Sequence, residues 1–360
     1  MINSLYVHIP FCNSICYYCD FTKVIYKKEW VSEYLEALKE DLKRFSITNL
    51  KTIYVGGGTP TSLSLDELEI LLKTLEPYSK DVKEYTFEAN VESLTKEKLL
   101  LLRKYNVNRL SIGVQTFNDK LLKFIGRKHT SEDVIKTINL AKNLSFNNIS
   151  IDLIYGLPFQ TLEDVKSDVT RALSLPITHI STYSLLINPS TIASARGWKN
   201  QDSDNEAQMF NLIREQLEDA GFFQYEVSNF AKKGFKSLHN LTYWHNEEYY
   251  AVGYGASGYV NKVRYTNNGS FKSYLNKEFI RESEEITPEL FKEEYLMLHL
   301  RLKEGFSLDD YFKKTGEKFN LEHPKIKHFL KTNLLIYENN RLYCSPEGLL
   351  KLDYILSYII

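Results

Sequence analysis

Apolar and polar positions alternate along the first 230 residues in two different rhythms. Strand-length apolar runs occur at SLYVHIP (4–10), KTIYVGG (51–57), EYTFEAN (84–90), NRLSIGVQ (108–115), NISIDLIYG (148–156) and THISTYSLL (178–186), with a weaker one at QYEVSNF (224–230). Between them lie segments with helical spacing, such as 29–45 and 64–76. Ser64 with Glu67, and Thr161 with Asp164, stand at N-terminal capping distance from each other. Strands alternating with helices of this length predict β-α-β units and a parallel sheet. The strands read as apolar on both faces or nearly so, as helix-covered strands require. The fold class expected is α/β: a partial (β/α) barrel of about six units, with an open doubly wound sheet as the alternative.

After about residue 285 the rhythm changes. Residues 288–305 and 307–316 read as helices, and LLIYENNRLYCSPEG (334–348) reads as a hairpin turning at Asn339–Asn340, followed by a last helix. Helices followed by a small β-wing predict a winged-helix-like α+β module. The expected division is 1–235 for the barrel, 236–284 for a connecting segment and 285–360 for the C-terminal module.

Polar residues gather where these strands end. Gly56–Gly58 follow the second strand, Glu88 ends the third, Gln115 ends the fourth, and Asp152 lies near the end of the fifth. A polar residue at one strand end is commonly a cap or a turn residue. In a parallel barrel these positions converge on the C-terminal mouth, where such folds place their chemistry. GGGTP (56–60) allows backbone N–H groups to approach a ligand closely, although a plain tight turn has the same composition. No dinucleotide or phosphate-loop glycine pattern is present.

Composition narrows the class. The 360 residues are 43% hydrophobic and 25% charged, with 45 Lys+Arg against 46 Asp+Glu. This balance gives no reason to expect nucleic-acid binding. No apolar run approaches a membrane span, and the N-terminus lacks the pattern of a signal peptide. Three of four cysteines cluster as C-x3-C-x2-C (Cys12, Cys16, Cys19), which is no disulfide framework and fits a reducing cytoplasm. A zinc site completed by His8 is one reading of the cluster. The other is three thiolates on a 4Fe–4S cube whose fourth iron stays open to a non-protein ligand.

YVHIPFCNSICYYCDF, GGGTP, FEAN, SIGVQTF, GRKH and IDLIYGLP occur in this order. The set resembles the radical S-adenosylmethionine superfamily, and specifically its HemN/HemW branch of coproporphyrinogen III dehydrogenases and haem chaperones. The resemblance covers nearly the whole chain. It implies that S-adenosylmethionine chelates the open iron through its amino and carboxylate groups, and that the reduced cluster can cleave its sulfonium bond. It also implies roles for single residues. Tyr6 lies beside the cluster; Gly57, Gly58 and Thr59 hold the amino end of the methionine moiety; Glu88 pairs with its ammonium. Arg127 meets the carboxylate, and Gln115 and Asp152 bind the ribose hydroxyls. Val91 departs from the proline common after EAN in the family, which affects only the turn.

Within the branch, two features point away from the dehydrogenase. Its motif continues to a fourth cysteine two residues after the third, where this chain has Phe21, and its long N-terminal arm has no counterpart before Tyr6. HNLTYW (239–244) matches the HNxxYW motif of the haem-chaperone members. The resemblance therefore implies haem binding by His239, Asn240, Tyr243 and Trp244, with His245 as a competing ligand. From the residues alone, a structural corner is the other reading of this hexapeptide. GYGASGY (253–259) reads either as a close approach to a ligand or as a buried turn. Cys344 reads as a small buried hydrophobe. The function implied is transfer of haem to client haemoproteins such as respiratory enzymes, membrane-associated ones included, by a protein that is not itself membrane-spanning and whose dimerisation is tied to the cluster. A radical enzyme acting on a tetrapyrrole is the alternative, and a zinc protein a distant one.

Overall fold

A computed structural model describes residues 2–279 and 282–360. The six expected strong strands are present as β1 (Ser4–Ile9), β2 (Thr52–Gly57), β3 (Glu84–Asn90), β4 (Arg109–Gln115), β5 (Asn148–Tyr155) and β6 (His179–Ser184). QYEVSNF does not form one strand. It makes two short antiparallel strands, β7 (Phe223–Gln224) and β8 (Asn229–Ala231), separated by a turn that Ser228 N–H closes onto the Glu226 carboxylate. The seventh parallel strand comes instead from the segment expected to connect two domains: β9 (Tyr250–Val252) pairs with β1. The sheet order is β9-β1-β2-β3-β4-β5-β6-β8-β7, parallel from β9 to β6. It is the predicted partial barrel, with edges at β9 and β7.

Helices α1 (Lys28–Lys43), α2 (Leu65–Leu75), α3 (Lys96–Lys104), α4 (Ser131–Asn143), α5 (Leu162–Leu173) and α6 (Ser203–Asp219) supply the outer layer. Both expected capping boxes are formed, Ser64 with Glu67 and Thr161 with Asp164. The outer face of each strand is apolar: Leu5, Val7, Ile53, Val55, Phe87, Leu110, Ile112, Ile149 and Ile151 are fully buried against these helices. The inner face is not apolar, which corrects the expectation of strands apolar on both sides. Ser4, Tyr6 and His8 alternate with the apolar residues on β1, as do Thr52 and Tyr54 on β2. Thr86, Glu88 and Asn90 do so on β3, and Arg109, Ser111, Gly113 and Gln115 on β4. A strand shows alternate residues to opposite faces, so the barrel interior is polar along its length.

Helix α7 (Leu238–Trp244) carries HNLTYW, capped by Ser237. The Glu84 carboxylate, at the start of β3, accepts from the N–H groups of Leu238 and His239 at 2.9 Å. This fixes the positive end of α7 against the N-terminal end of the barrel. The C-terminal part has helix α8 (Pro288–His299), helices Leu308–Thr315 and Pro324–Lys331, and a hairpin Leu335–Glu338/Arg341–Cys344. Asn339 and Asn340 take φ of 51° and 62°, the left-handed pair a two-residue hairpin turn needs. This is the expected winged-helix-like α+β arrangement, with Cys344 buried in the wing. No helix of the described residues is long and apolar enough to cross a membrane.

Candidate functional site

The cysteine loop leaves β1 at the C-terminal end of the sheet. It is tied down at both ends, by short pairing of Phe11–Cys12 with Val24–Ile25 and by Tyr17 N–H donating to Ile125 O at 3.1 Å. A cavity of about 400 Å³ opens beside it, and Cys12, Cys16 and Cys19 all line the wall. Burial pushes the Cys12 thiol up to about 11, with Thr59 Oγ1 3.6 Å away opposing the shift. A metal ion would be needed to hold Cys12 as a thiolate.

The second wall is Gly57–Gly58–Thr59. A Cβ at Gly58 would lie 2.5 Å from Pro10 O, and one at Gly57, whose φ is +112°, would lie 2.7 Å from the His8 ring. Gly57 and Gly58 are therefore needed for close contact with β1 and the cysteine loop. His8 is committed underneath. Its Nδ1 is 3.0 Å from Tyr6 Oη and its Nε2 is 2.8 Å from Thr22 O, and burial lowers its pKa to about 4. Both ring nitrogens are occupied, so His8 does not complete a zinc site. Among the described residues no three His, Cys, Asp or Glu side chains converge on a single-ion position.

Glu88 faces the glycines. It accepts from Tyr54 Oη at 2.7 Å and from Gly57 N at 3.0 Å, and burial, opposed by the Tyr54 hydrogen bond, raises its pKa to about 7. A Cβ at Gly56 would lie 2.7 Å from its carboxyl carbon. Arg127 closes the far side: Nη1 lies 3.3 Å from Cys16 Sγ, and Nη2 donates to Asn90 Oδ1 at 2.9 Å and to Gly113 O. Its buried Nε has no hydrogen-bond partner among the described residues. Asn90 also donates to Thr59 Oγ1 at 3.0 Å and so joins the two walls. Asp152, held by Ser111 Oγ at 3.3 Å, lines the same cavity. Gln115 reaches it from a backbone with φ of +71°, where β4 shifts register against β5. A left-handed glutamine at a strand end is the kind of strain that collects at binding sites.

The expected residues thus separate into two groups. The three cysteines, Gly57, Gly58, Thr59, Glu88, Gln115, Arg127, Asp152 and Asn240 share one cavity. Tyr6 does not line it; its ring packs against Tyr54, which does, and its hydroxyl is held by His8. His239 is fully buried behind the wall, with Nδ1 2.8 Å from Thr52 Oγ1 and Nε2 2.8 Å from Tyr243 Oη. Burial, reinforced by the charge of Arg109, lowers its pKa to about 3. Tyr243 packs its ring edge-to-face against His239 and Tyr249. His245 points the other way, with its ring centroid 6.0 Å from that of His299 on α8. In GYGASGY, Gly253 packs the backbone of His8, Gly255 the Thr22 side chain and Gly258 the Tyr265 ring, making a turn behind the cysteine loop. Tyr54, Asn90, Arg109, Ser111 and Ser181 also line the cavity without having been singled out in the sequence. The signal was available: each lies two or four residues from a singled-out residue on the same strand, or on the matching face of its neighbour.

The donor set fits the two implied cofactors. Three thiols on one loop suit a cluster with one open iron. The orphaned Arg127 Nε and the Glu88 carboxylate suit an amino acid chelating that iron.

Profiles of known families match the chain in two places. The radical SAM superfamily covers residues 6–172, and the HemN C-terminal domain covers residues 286–350. A protein named heme chaperone HemW from Bacillus subtilis is 40% identical over 365 residues, covering 96% of each chain. Its namesake from Lactococcus lactis is 42% identical over 364 residues, covering 96% of this chain and 94% of that one. The structure of coproporphyrinogen III oxidase (HemN) from Escherichia coli, a radical SAM enzyme, matches with a TM-score of 0.85 and 22% identity. It covers 99% of this chain and 89% of that one, a likeness of fold.

Proposed function

We propose a function from one premise: the chain belongs to the radical SAM superfamily and, within it, to the HemW family. It is a haem chaperone that binds haem and passes it to client haemoproteins. Its own residues hold a 4Fe–4S cluster and S-adenosylmethionine for that task. The observation that carries this reading is a single cavity containing the cluster thiols, the S-adenosylmethionine residues and Asn240 of the HNLTYW helix.

Cys12, Cys16 and Cys19 hold the cluster. When bound, it supplies an open iron position and a source of one electron. Gly57, Gly58 and Thr59 present the wall for the methionine end, and Glu88 takes the ammonium. Arg127 takes the carboxylate with its free Nε. Gln115 and Asp152 receive the ribose. Haem ligation by His239 requires the Tyr243 hydroxyl to release Nε2, since neither ring nitrogen is free as the helix stands. His245 is half-buried, and no hydrogen bond to its ring is formed by the described residues, so it is the competing ligand. Respiratory enzymes as clients, a cytoplasmic location and a dimer dependent on the cluster belong to the same reading.

One observation favours this over a tetrapyrrole-processing radical enzyme. Phe21 stands 67% exposed at the cavity mouth in place of the fourth cysteine. The test is twofold. Haem-loaded protein is mixed with an apo-haemoprotein and transfer is followed by absorbance. In parallel, reduced protein with S-adenosylmethionine is given coproporphyrinogen III. Transfer without protoporphyrinogen IX is expected, and turnover to protoporphyrinogen IX without transfer would overturn the chaperone reading.

A further inference from the structure

Two of the three cluster thiols are joined across the cavity by a chain of side-chain hydrogen bonds. Arg127 Nη1 lies 3.3 Å from Cys16 Sγ, and Arg127 Nη2 donates to Asn90 Oδ1 at 2.9 Å. Asn90 Nδ2 donates to Thr59 Oγ1 at 3.0 Å, and Thr59 Oγ1 lies 3.6 Å from Cys12 Sγ. All of these residues line the cavity. Asn90, the last residue of β3, stands in the middle of the chain. Gly113 of β4 leaves room for it: a Cβ there would lie 2.9 Å from Arg127 Nη2 and 3.3 Å from Asn90 Oδ1.

The direction of every bond in the chain follows from what each group can donate. A guanidinium has donors only, so the Asn90 atom that meets Arg127 Nη2 is the carbonyl oxygen. This fixes the amide one way round and turns its donor, Nδ2, to Thr59. The Thr59 oxygen accepts that bond and keeps its single hydrogen for Cys12 Sγ. A cysteine that ligates iron is a thiolate and can only accept. Both ends of the chain therefore present a hydrogen to a sulfur, and neither can reverse. The Arg127 nitrogens used here are Nη1 and Nη2, so the Nε left for the cofactor's carboxylate is not consumed.

We infer that Asn90 is a positioning residue that sets the reduction potential of the cluster, by aiming the Arg127 guanidinium at Cys16 Sγ and the Thr59 hydroxyl at Cys12 Sγ. The inference rests on the 4Fe–4S cluster proposed above. One-electron reduction of such a cluster adds negative charge that spreads onto its sulfurs. Donors aimed at the sulfurs stabilise the reduced form and raise the potential. Without Asn90 the Thr59 hydroxyl is released to turn away from Cys12. Arg127 Nη2 is then left with Gly113 O as its remaining anchor.

The experiment is a redox titration of the full chain, reconstituted anaerobically and free of S-adenosylmethionine. Dithionite with mediators supplies the electron, and electron paramagnetic resonance of the reduced cluster gives the midpoint potential. Wild type is compared with Asn90→Ala, with Asn90→Leu, which restores the lost volume, and with Thr59→Val and Thr59→Ser, all checked for iron and sulfide content. Asn90→Ala, Asn90→Leu and Thr59→Val should each shift the equilibrium toward the oxidised cluster by up to about tenfold, the scale of one hydrogen bond to a charged group. For one electron that is a potential more negative by up to about 59 mV. Thr59→Ser keeps the hydroxyl and should hold the wild-type potential. Asn90→Ala combined with Thr59→Val should shift less than the sum of the two, because Asn90 reaches Cys12 only through Thr59. Unchanged potentials in cluster-loaded Asn90 variants would overturn the inference. So would failure of both Asn90 variants to take up iron, which would make Asn90 a builder of the loop. Wild type that takes up no iron and sulfide would instead sink the cluster reading itself.

Discussion

Nδ1 of His239 lies 2.8 Å from Thr52 Oγ1, a contact that spans from α7 to the second strand of the barrel. With the Tyr243 hydroxyl on Nε2, it makes the motif histidine part of the barrel's hydrogen-bonded interior. His239→Ala should therefore lower the unfolding free energy of the haem-free protein by about 2–4 kcal/mol, from lost packing and an unpaired buried hydroxyl. Denaturant titration of the full chain measures this. A loss below about 0.5 kcal/mol would mean that His239 does not hold α7 to the barrel.

Tyr243→Phe keeps the ring and removes only the hydroxyl on His239 Nε2. If His239 is the haem ligand, the substitution frees its nitrogen, and haem affinity should rise by a few-fold, about 1 kcal/mol. Unchanged affinity would assign the iron to another ligand, with His245 the first to test.

The glycines next to the cavity separate two effects. A Cβ at Gly56 meets the Glu88 carboxyl group, whereas one at Gly58 meets the carbonyl of Pro10 in the backbone leading to the cysteines. Gly56→Ala should weaken S-adenosylmethionine binding by about tenfold and leave iron and sulfide content intact. Gly58→Ala should lose the cluster as well. Equal cluster loss in both variants would show that the glycines act only on the loop.

Glu88 sets a pH dependence. Its carboxyl titrates near 7 because burial disfavours the charged form. The ionised form accepts from the amino group more strongly than the neutral acid does, so S-adenosylmethionine affinity should be highest above pH 7 and fall as pH drops below it, by at most about tenfold per unit. Glu88→Gln should bind weakly and lose this dependence. A flat profile in the wild type would remove Glu88 from the ammonium site.

Much of the site could be read directly from the sequence, because covalent spacing fixes it. C-x3-C-x2-C places three thiols on one loop, and GGGTP, Glu88, Gln115 and Asp152 stand at strand ends that a parallel barrel brings together. The interior below them was misread for a physical reason. β1 to β6 show apolar residues to the helices and polar ones inward, but tyrosines, glycines and single histidines on the inner face blur the two-residue period into an apolar run. Arg109 was hidden in this way within NRLSIGVQ. The edge strand Tyr250–Val252 was missed because three residues carry too little pattern, and its place is decided by a partner almost 250 positions earlier in the chain. The position of His239 behind the cavity depends on the Glu84 cap of α7, a contact 155 residues apart in sequence.

The most direct measurement is a haem titration of anaerobically purified, cluster-loaded protein followed in the Soret region, with wild type beside His239→Ala and His245→Ala. Saturable binding near one haem per chain, weakened or spectrally altered in one of the two variants, is the predicted result. Loose, non-saturating binding that neither substitution changes would contradict the haem-chaperone function and return HNLTYW to a purely structural role.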